Sequence, residues 1–182
     1  VKLHIGCGQK YLPGYKHIDV MEAEHIDYVC DTRDLSVFTD GSADEIYACH
    51  ILEHLEKKDV PVILDEWCRV LKEGGVIRIS VPDFEAIVEE YVAHKNLVEL
   101  QGLLYGGQTY DYNFHYVAFD FKNLEQLLEK TGFEGIERYD WQDFLPEKYD
   151  DFSRAYLPHL DFENGRLMSL NVVAYKKYVI TS

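Results

Sequence analysis

Five glycine-rich or polar points recur along the first half of this 182-residue chain, each where a short apolar run ends. Gly6-Cys7-Gly8 follows Leu3 to Ile5, and Asp19 lies in the run Lys16 to Val20. Asp31 follows Tyr28 to Cys30, His50 follows Glu45 to Cys49, and Pro82-Asp83 follows Val76 to Val81. Glycines at 6 and 8 remove Cβ atoms where a backbone must turn sharply and a ligand must come close, leaving N–H groups turned toward it. An acidic side chain at the next run's end, Asp19, suits both hydroxyls of a ribose. Asp31 is suited to an exocyclic adenine amino group, with the Thr32 N–H available to a ring nitrogen. Its competing role is to cap the turn Asp31-Thr32-Arg33-Asp34-Leu35.

A dinucleotide fingerprint requires a third glycine where this chain has Tyr11, and its acidic residue lies about 20 positions on, whereas Asp19 is only 11 past Gly8. NAD is therefore disfavoured. A nucleoside without a pyrophosphate needs fewer glycines, and S-adenosylmethionine has that shape: ribose and adenine against Asp19 and Asp31, amino-acid tail on the glycine turn. His50-Ile51-Leu52-Glu53-His54 also matches the H-x-x-E-H pattern of zinc peptidases, which makes a zinc hydrolase the sharpest rival. Zinc needs a further ligand that the pattern does not supply, and a protease leaves the five run ends unexplained. No metal is assigned.

Strands and helices must carry these residues. Leu3–Ile5, Lys16–Val20, Tyr28–Cys30, Glu45–Cys49 and Val76–Val81 read as five strands. Val60, Ile63, Leu64, Trp67, Val70 and Leu71 recur at helical spacing, with Gly74-Gly75 expected to stop that helix. Helices follow over Phe84 to Val92, Leu97 to Tyr105, and around Leu124 to Leu128. Gly135–Trp141 and Leu167–Lys177 look like a last pair of strands. Strand and helix alternation favours a mostly parallel sheet covered on both faces, with an antiparallel pair at one edge. Only Gln9 to Tyr15 separates the first two strands, room for one helical turn at most.

Length and apolar content fit one domain over 1–182, without repeats or low-complexity linkers. A formal charge of −15 without a Lys/Arg cluster disfavours binding to a nucleic-acid backbone. Four cysteines without a C-x-x-C pair suit neither a disulfide scaffold nor a zinc ribbon, and reduced thiols point to the cytoplasm. No apolar run reaches the ~20 residues that span a bilayer, so no membrane partner is expected.

These segments resemble the class I S-adenosylmethionine-dependent methyltransferases, in particular the small type-11-like group. Leu3 to Gly8 is similar to that family's first motif, Lys16 to Val20 to its second, and Ala43 to Leu55 to its fourth. Arg69 to Gly75 followed by Val76 to Asp83 resembles its helix, glycine stop and fifth strand. The resemblance implies a Rossmann-like seven-stranded sheet ordered 3-2-1-4-5-7-6 with a reversed last strand. It also implies cofactor contacts at Gly6, Cys7, Gly8, Asp19, Val20, Asp31 and Thr32, with Cys49 and His50 passing the methionine part. Common members carry a helix before the first strand, which this sequence lacks, so the cleft is expected to be open or closed by a partner chain.

Methyl transfer from a sulfonium is an in-line displacement in which alignment matters most. A protonated oxygen or nitrogen acceptor needs a base, and a neutral imidazole suits that task at pH 7. The loop Leu104 to Tyr116 resembles the G-G-Q…N-x-H segment of the same group and supplies His115 as the first candidate. His50 is the second, and Asp83 the candidate orienting group or acceptor of substrate hydrogen bonds. The aromatic stretch Trp141 to Arg166 reads as a substrate lid, or equally as a homodimer contact. The expected activity is methylation of a hydroxyl or amine on a small molecule such as a sugar or secondary metabolite. The opposing expectation is a catalytically silent protein that only binds the cofactor or its demethylated product.

Overall fold

A computed structural model describes residues 1–179. The last three positions of the expected 1–182 domain, 180–182, lie outside the described residues. In chain order the strands are β1 (Lys2–Ile5), β2 (Lys16–Asp19), β3 (Tyr28–Val29), β4 (Ala43–Cys49), β5 (Leu71–Pro82), β6 (Phe133–Arg138), β7 (Tyr156–Leu157), β8 (Arg166–Leu167) and β9 (Ser169–Lys176). The helices are α1 (Val60–Val70), α2 (Phe84–His94), α3 (Leu97–Tyr105), α4 (Phe121–Lys130) and α5 (Trp141–Phe144).

Seven strands form one sheet in the order β3-β2-β1-β4-β5-β9-β6, and β7 with β8 makes a separate ribbon. Without that ribbon the order is the expected 3-2-1-4-5-7-6. Strands β1 to β5 pair in parallel, and β9 runs antiparallel to both β5 and β6. The register sets Ile5 beside Ile18 and Ala48, and Asp19 beside Val29. All the strand ends that carry glycine, aspartate or histidine therefore open onto one edge.

Alternation along the strands separates two unlike faces. Leu3, Ile5, Ile46, Ile77, Ile79, Leu170 and Val172 lie in one apolar core with Ile63, Leu64 and Trp67 of α1 and Leu124 and Leu128 of α4. Each such side chain, fully buried, contributes about 1.5–3 kcal/mol relative to exposure. The opposite face carries His4, His17, Tyr47, Arg78, Ser80 and Asn171. No helix forms between Ile5 and Lys16, in keeping with the short spacing. The polar face is covered instead from far along the chain: Trp141, Leu145 and Tyr149 pack on Leu12 and Tyr47. Tyr47 donates its hydroxyl hydrogen to Asp151 Oδ2 at 2.5 Å, pinning this cover to β4.

Element boundaries differ from expectation in places. Helix α1 ends at Val70, not at Gly74-Gly75, because the fully buried Leu71 is already extended and pairs with Ala43. Gly74, at φ +70°, sits within the ensuing strand irregularity. Trp141 opens α5, capped by Asp140, where a strand residue was expected. In the stretch from Trp141 to Arg166, Trp141, Leu145 and Tyr149 are buried against the sheet, while Phe152, Leu160 and Phe162 stay exposed. Among the described residues, no helix is long and apolar enough to cross a membrane.

Candidate functional site

The turn after β1 is built around two left-handed glycines, Gly6 at φ +63° and Gly8 at φ +54°. They do different jobs. A Cβ on Gly6 would lie 2.0 Å from Ile51 Cδ1, so its missing side chain lets the segment after β4 close on the turn. A Cβ on Gly8 would meet nothing within 4 Å. Asp19, only 8 % exposed, accepts the Gly8 N–H at 2.8 Å through one oxygen and the Met21 N–H at 2.9 Å through the other. Asp19 thus fixes the turn through charge-assisted bonds and still has lone pairs on both oxygens. His25 Nε2 lies 2.9 Å from the Gly8 carbonyl, and Val20 beside Asp19 is exposed.

Asp31 and Thr32 follow β3, as the sequence indicated. Arg33 grips both Asp31 oxygens, with its Nε at 2.9 and 3.0 Å. Any adenine amino group must therefore share that carboxylate with a guanidinium. Arg33 also holds the Asp31 carboxyl below the usual carboxylate range. Trp67 of α1 donates its indole N–H to the Thr32 carbonyl at 2.9 Å, which locks this loop to the core. Burial, reinforced by Asp19, pushes the Cys7 thiol up to about 12. Burial and then Asp151 raise that of Cys49 well above the thiol range. Neither sulfur is a nucleophile at neutral pH.

At the end of β4 the backbone turns through His50, a non-glycine residue at φ +54°. Such left-handed positions are costly for side-chain-bearing residues and collect at functional sites. The turn is held by the His50 N–H on the Ser80 carbonyl at 2.8 Å and by its Nε2, 3.1 Å from Ser169 Oγ. Its Nδ1 lies 3.1 Å from Glu53 Oε1 without hydrogen-bond alignment, so both oxygens of this fully buried carboxylate remain without a hydrogen-bond partner among the described residues. Burial alone would raise the Glu53 pKa, but His50, His54 and His115 outweigh it, and the net direction is down.

The loop after α3 delivers His115 to the same place. Gly106, at φ +75°, has no room for a Cβ: it would lie 2.5 Å from the Asn113 carbonyl oxygen and 3.1 Å from His115 Cδ2. The Tyr116 N–H bonds to the Glu53 carbonyl at 2.7 Å, tying the loop to the turn. His115 and His54 meet edge to face with ring centroids 4.6 Å apart. Phe152, 64 % exposed, stands with its ring centroid 5.4 Å from that of His50. His50 and His115 are thus brought around one carboxylate, Glu53, which the sequence reading treated only as part of a peptidase pattern.

Asp83 goes elsewhere. Its carboxylate caps α2 through the Glu85 and Ala86 N–H groups and pairs with Arg138 at 2.9 Å. No hydrogen bond joins it to His50 or His115 among the described residues. The peptidase pattern also lacks its geometry, because Leu52–His54 is a single 3₁₀ turn and His50 lies before it, so the two histidines do not share an α-helical face. A surface depression of about 810 Å³ is lined by Arg33, Asp40, Glu66 and Arg69 and not by Asp19, His50, Glu53 or His115; its arginines are already paired with carboxylates.

The family described as "Methyltransferase domain" matches residues 10–79. No curated protein matches the chain. Among solved structures, a SAM-dependent methyltransferase from Archaeoglobus fulgidus is 17 % identical, over 96 % of this chain and 85 % of its own, with a TM-score of 0.59. One from Methanosarcina mazei is 18 % identical over 98 % and 92 %, with a TM-score of 0.58. The Burkholderia thailandensis 1,6-didemethyltoxoflavin-N1-methyltransferase, solved with 1,6-didemethyltoxoflavin and S-adenosylhomocysteine, is 16 % identical over 97 % and 71 %, with a TM-score of 0.58. At these identities the likeness is one of fold.

Proposed function

We propose that this chain is a class I S-adenosylmethionine-dependent methyltransferase, in line with the matched segment 10–79 and the fold, and that it methylates a hydroxyl or amine of a small molecule, a sugar or secondary metabolite being the class in view. The observation that carries this reading is the pairing, on one sheet edge, of an open glycine turn anchored by Asp19 with imidazoles gathered around a buried carboxylate. Bound there, the cofactor supplies an electrophilic methyl group on a positively charged sulfur.

Gly8 offers open space at its missing side chain, and Asp19 has unused lone pairs toward ribose hydroxyls. Asp31 and the Thr32 N–H take the adenine, Cys49 and His50 line the methionine part, and Gly6, Cys7 and Val20 complete the wall. On the acceptor side, His115 Nδ1 lies 2.9 Å from the Leu103 carbonyl. A carbonyl only accepts, so the proton sits on Nδ1 and Nε2 carries the lone pair that takes the acceptor's proton. Glu53 then offsets the charge of the imidazolium. Such base catalysis is worth about 10²–10⁴-fold, and alignment by the walls accounts for the larger share. The exposed Phe152 ring beside His50 offers an apolar face to the acceptor.

That the Burkholderia enzyme is solved with a small heterocyclic acceptor supports this substrate class. The exposed Val88, Tyr91, Val92, Leu97 and Val98 of α2 and α3 support a homodimer. The test is transfer of a labelled methyl group from S-adenosylmethionine into a metabolite extract. Label in a small-molecule fraction is the expected result; cofactor binding without transfer to any fraction would leave only a binding protein.

A further inference from the structure

Glu53 raises a problem that methyl transfer alone does not solve. It is fully buried, and both its oxygens lack a hydrogen-bond partner among the described residues. His50 Nδ1 lies 3.1 Å from one of them without hydrogen-bond alignment, and a buried carboxylate whose oxygens accept no hydrogen bond is costly unless a cation completes the site. Two imidazoles face it. Glu53, His54 and His115 each present a ligand-type atom, and these atoms lie within 4.8 Å of one another.

The two rings are also pre-set. His54 Nδ1 is 3.1 Å from the Phe114 carbonyl and His115 Nδ1 is 2.9 Å from the Leu103 carbonyl. Main-chain acceptors on both Nδ1 atoms fix the protons there and leave both Nε2 lone pairs free. That outer hydrogen bond is how metal-binding histidines are usually oriented. The loop bearing His115 is tied to the Glu53 carbonyl through Tyr116 and closed by Gly106, so the three donors are held by main-chain bonds and do not depend on loose side chains.

We infer that Glu53, His54 and His115 bind one divalent transition-metal ion beside the acceptor position. This rests on the reading of that edge as the acceptor side and changes one assignment within it. With the ion present His115 is a ligand and not the base, and His50 touches Glu53 from outside the set. Two nitrogens and one carboxylate select zinc, manganese or iron(II) over magnesium and calcium, which prefer all-oxygen shells. Three protein ligands leave coordination positions open, and an acceptor hydroxyl entering there becomes more acidic. Its O–H bond breaks with the proton passing to water, the oxygen bonds to the methyl carbon, and the carbon–sulfur pair stays on sulfur.

The experiment is zinc titration by calorimetry and thermal melting on the whole chain stripped with chelator, run beside titration with S-adenosylhomocysteine. Wild type is expected to take up about one zinc per chain. At a hundredfold excess over Kd its Tm should rise by about 5–10 °C. Glu53→Gln and His54→Ala should each lose at least a hundredfold in zinc affinity, while the exposed-site control Glu163→Gln loses none. Circular dichroism and melting of each variant stripped of metal, beside stripped wild type, separate a fold defect from a binding defect. Absence of stoichiometric zinc, manganese and iron(II) uptake by folded wild type overturns the inference even if S-adenosylhomocysteine binds. Zinc uptake without S-adenosylhomocysteine binding leaves the ion site standing and overturns the cofactor reading instead. Zinc affinity unchanged in Glu53→Gln and His54→Ala also overturns it, by placing the ion elsewhere.

Discussion

Replacing each glycine of the first turn by alanine separates folding from binding. Both have positive φ, where a Cβ costs roughly 1–2 kcal/mol. At Gly6 the new atom would also sit 2.0 Å from Ile51 Cδ1, and relieving such overpacking costs about 1–3 kcal/mol more. Gly6→Ala is therefore expected to lose roughly 2–5 kcal/mol, and Gly8→Ala only about 1–2 kcal/mol. At about 2–4 °C per kcal/mol for a chain of this size, the first should melt about 4–20 °C lower and the second about 2–8 °C lower. Binding should show the reverse order. The Gly8 Cβ would enter space that is open here and that the proposed cofactor fills, so its S-adenosylhomocysteine affinity should fall at least tenfold, about 1.4 kcal/mol. Calorimetric titration at 15 °C and thermal melting of both variants measure the two effects. Wild-type affinity in Gly8→Ala, or no difference in melting between the two, would refute the division of labour assigned to this turn.

Three further outcomes follow from the same geometry. His115→Ala should abolish turnover while S-adenosylhomocysteine affinity stays within threefold; equal loss of both, or of neither, contradicts the role given to that residue. Asp151→Ala leaves the Tyr47 hydroxyl and the Ser153 N–H without the carboxylate that now accepts from them, each costing about 1–3 kcal/mol, which a urea titration would register as a lower midpoint with unchanged slope. Burial, aided by His17 and His25, lowers the His4 pKa to about 3. A lowered pKa means that the unfolded chain binds more protons between pH 6.5 and 3, so this contribution is intact above pH 6.5 and is lost progressively below it, amounting to about 2 kcal/mol at pH 5. His4→Gln should flatten that part of the stability profile measured by denaturant titration from pH 7 to pH 4.

Sheet order and the gathering of the polar strand ends on one edge were legible because they follow from local regularities: alternation in β1 and β4, glycine at the first turn, aspartate at the end of the second strand and after the third. What stayed hidden depends on long-range closure. Leu71 reads as the last residue of a helix by spacing, yet pairing with Ala43 draws it into the sheet. Trp141 to Arg166 reads as a lid or a dimer contact by its aromatic content, and the sequence does not show that Trp141 and Tyr149 within it pack on Leu12 and Tyr47, where no crossover helix forms. Asp83 has the residue type and strand-end position of a catalytic group, and it is consumed by a helix N-terminus and Arg138. Glu53 was visible in H-x-x-E-H beside His50, but His115, about sixty positions on, also comes within 4.8 Å of it, and the spacing within the motif carries no trace of that approach.

A crystal grown with S-adenosylhomocysteine tests the central claim most directly. The account predicts density for an adenosine whose ribose hydroxyls meet the Asp19 carboxylate, whose adenine lies against Asp31 and Thr32, and whose homocysteine tail crosses Gly8 toward His50. Density for the nucleoside at any other surface, or none at saturating concentration, would contradict it.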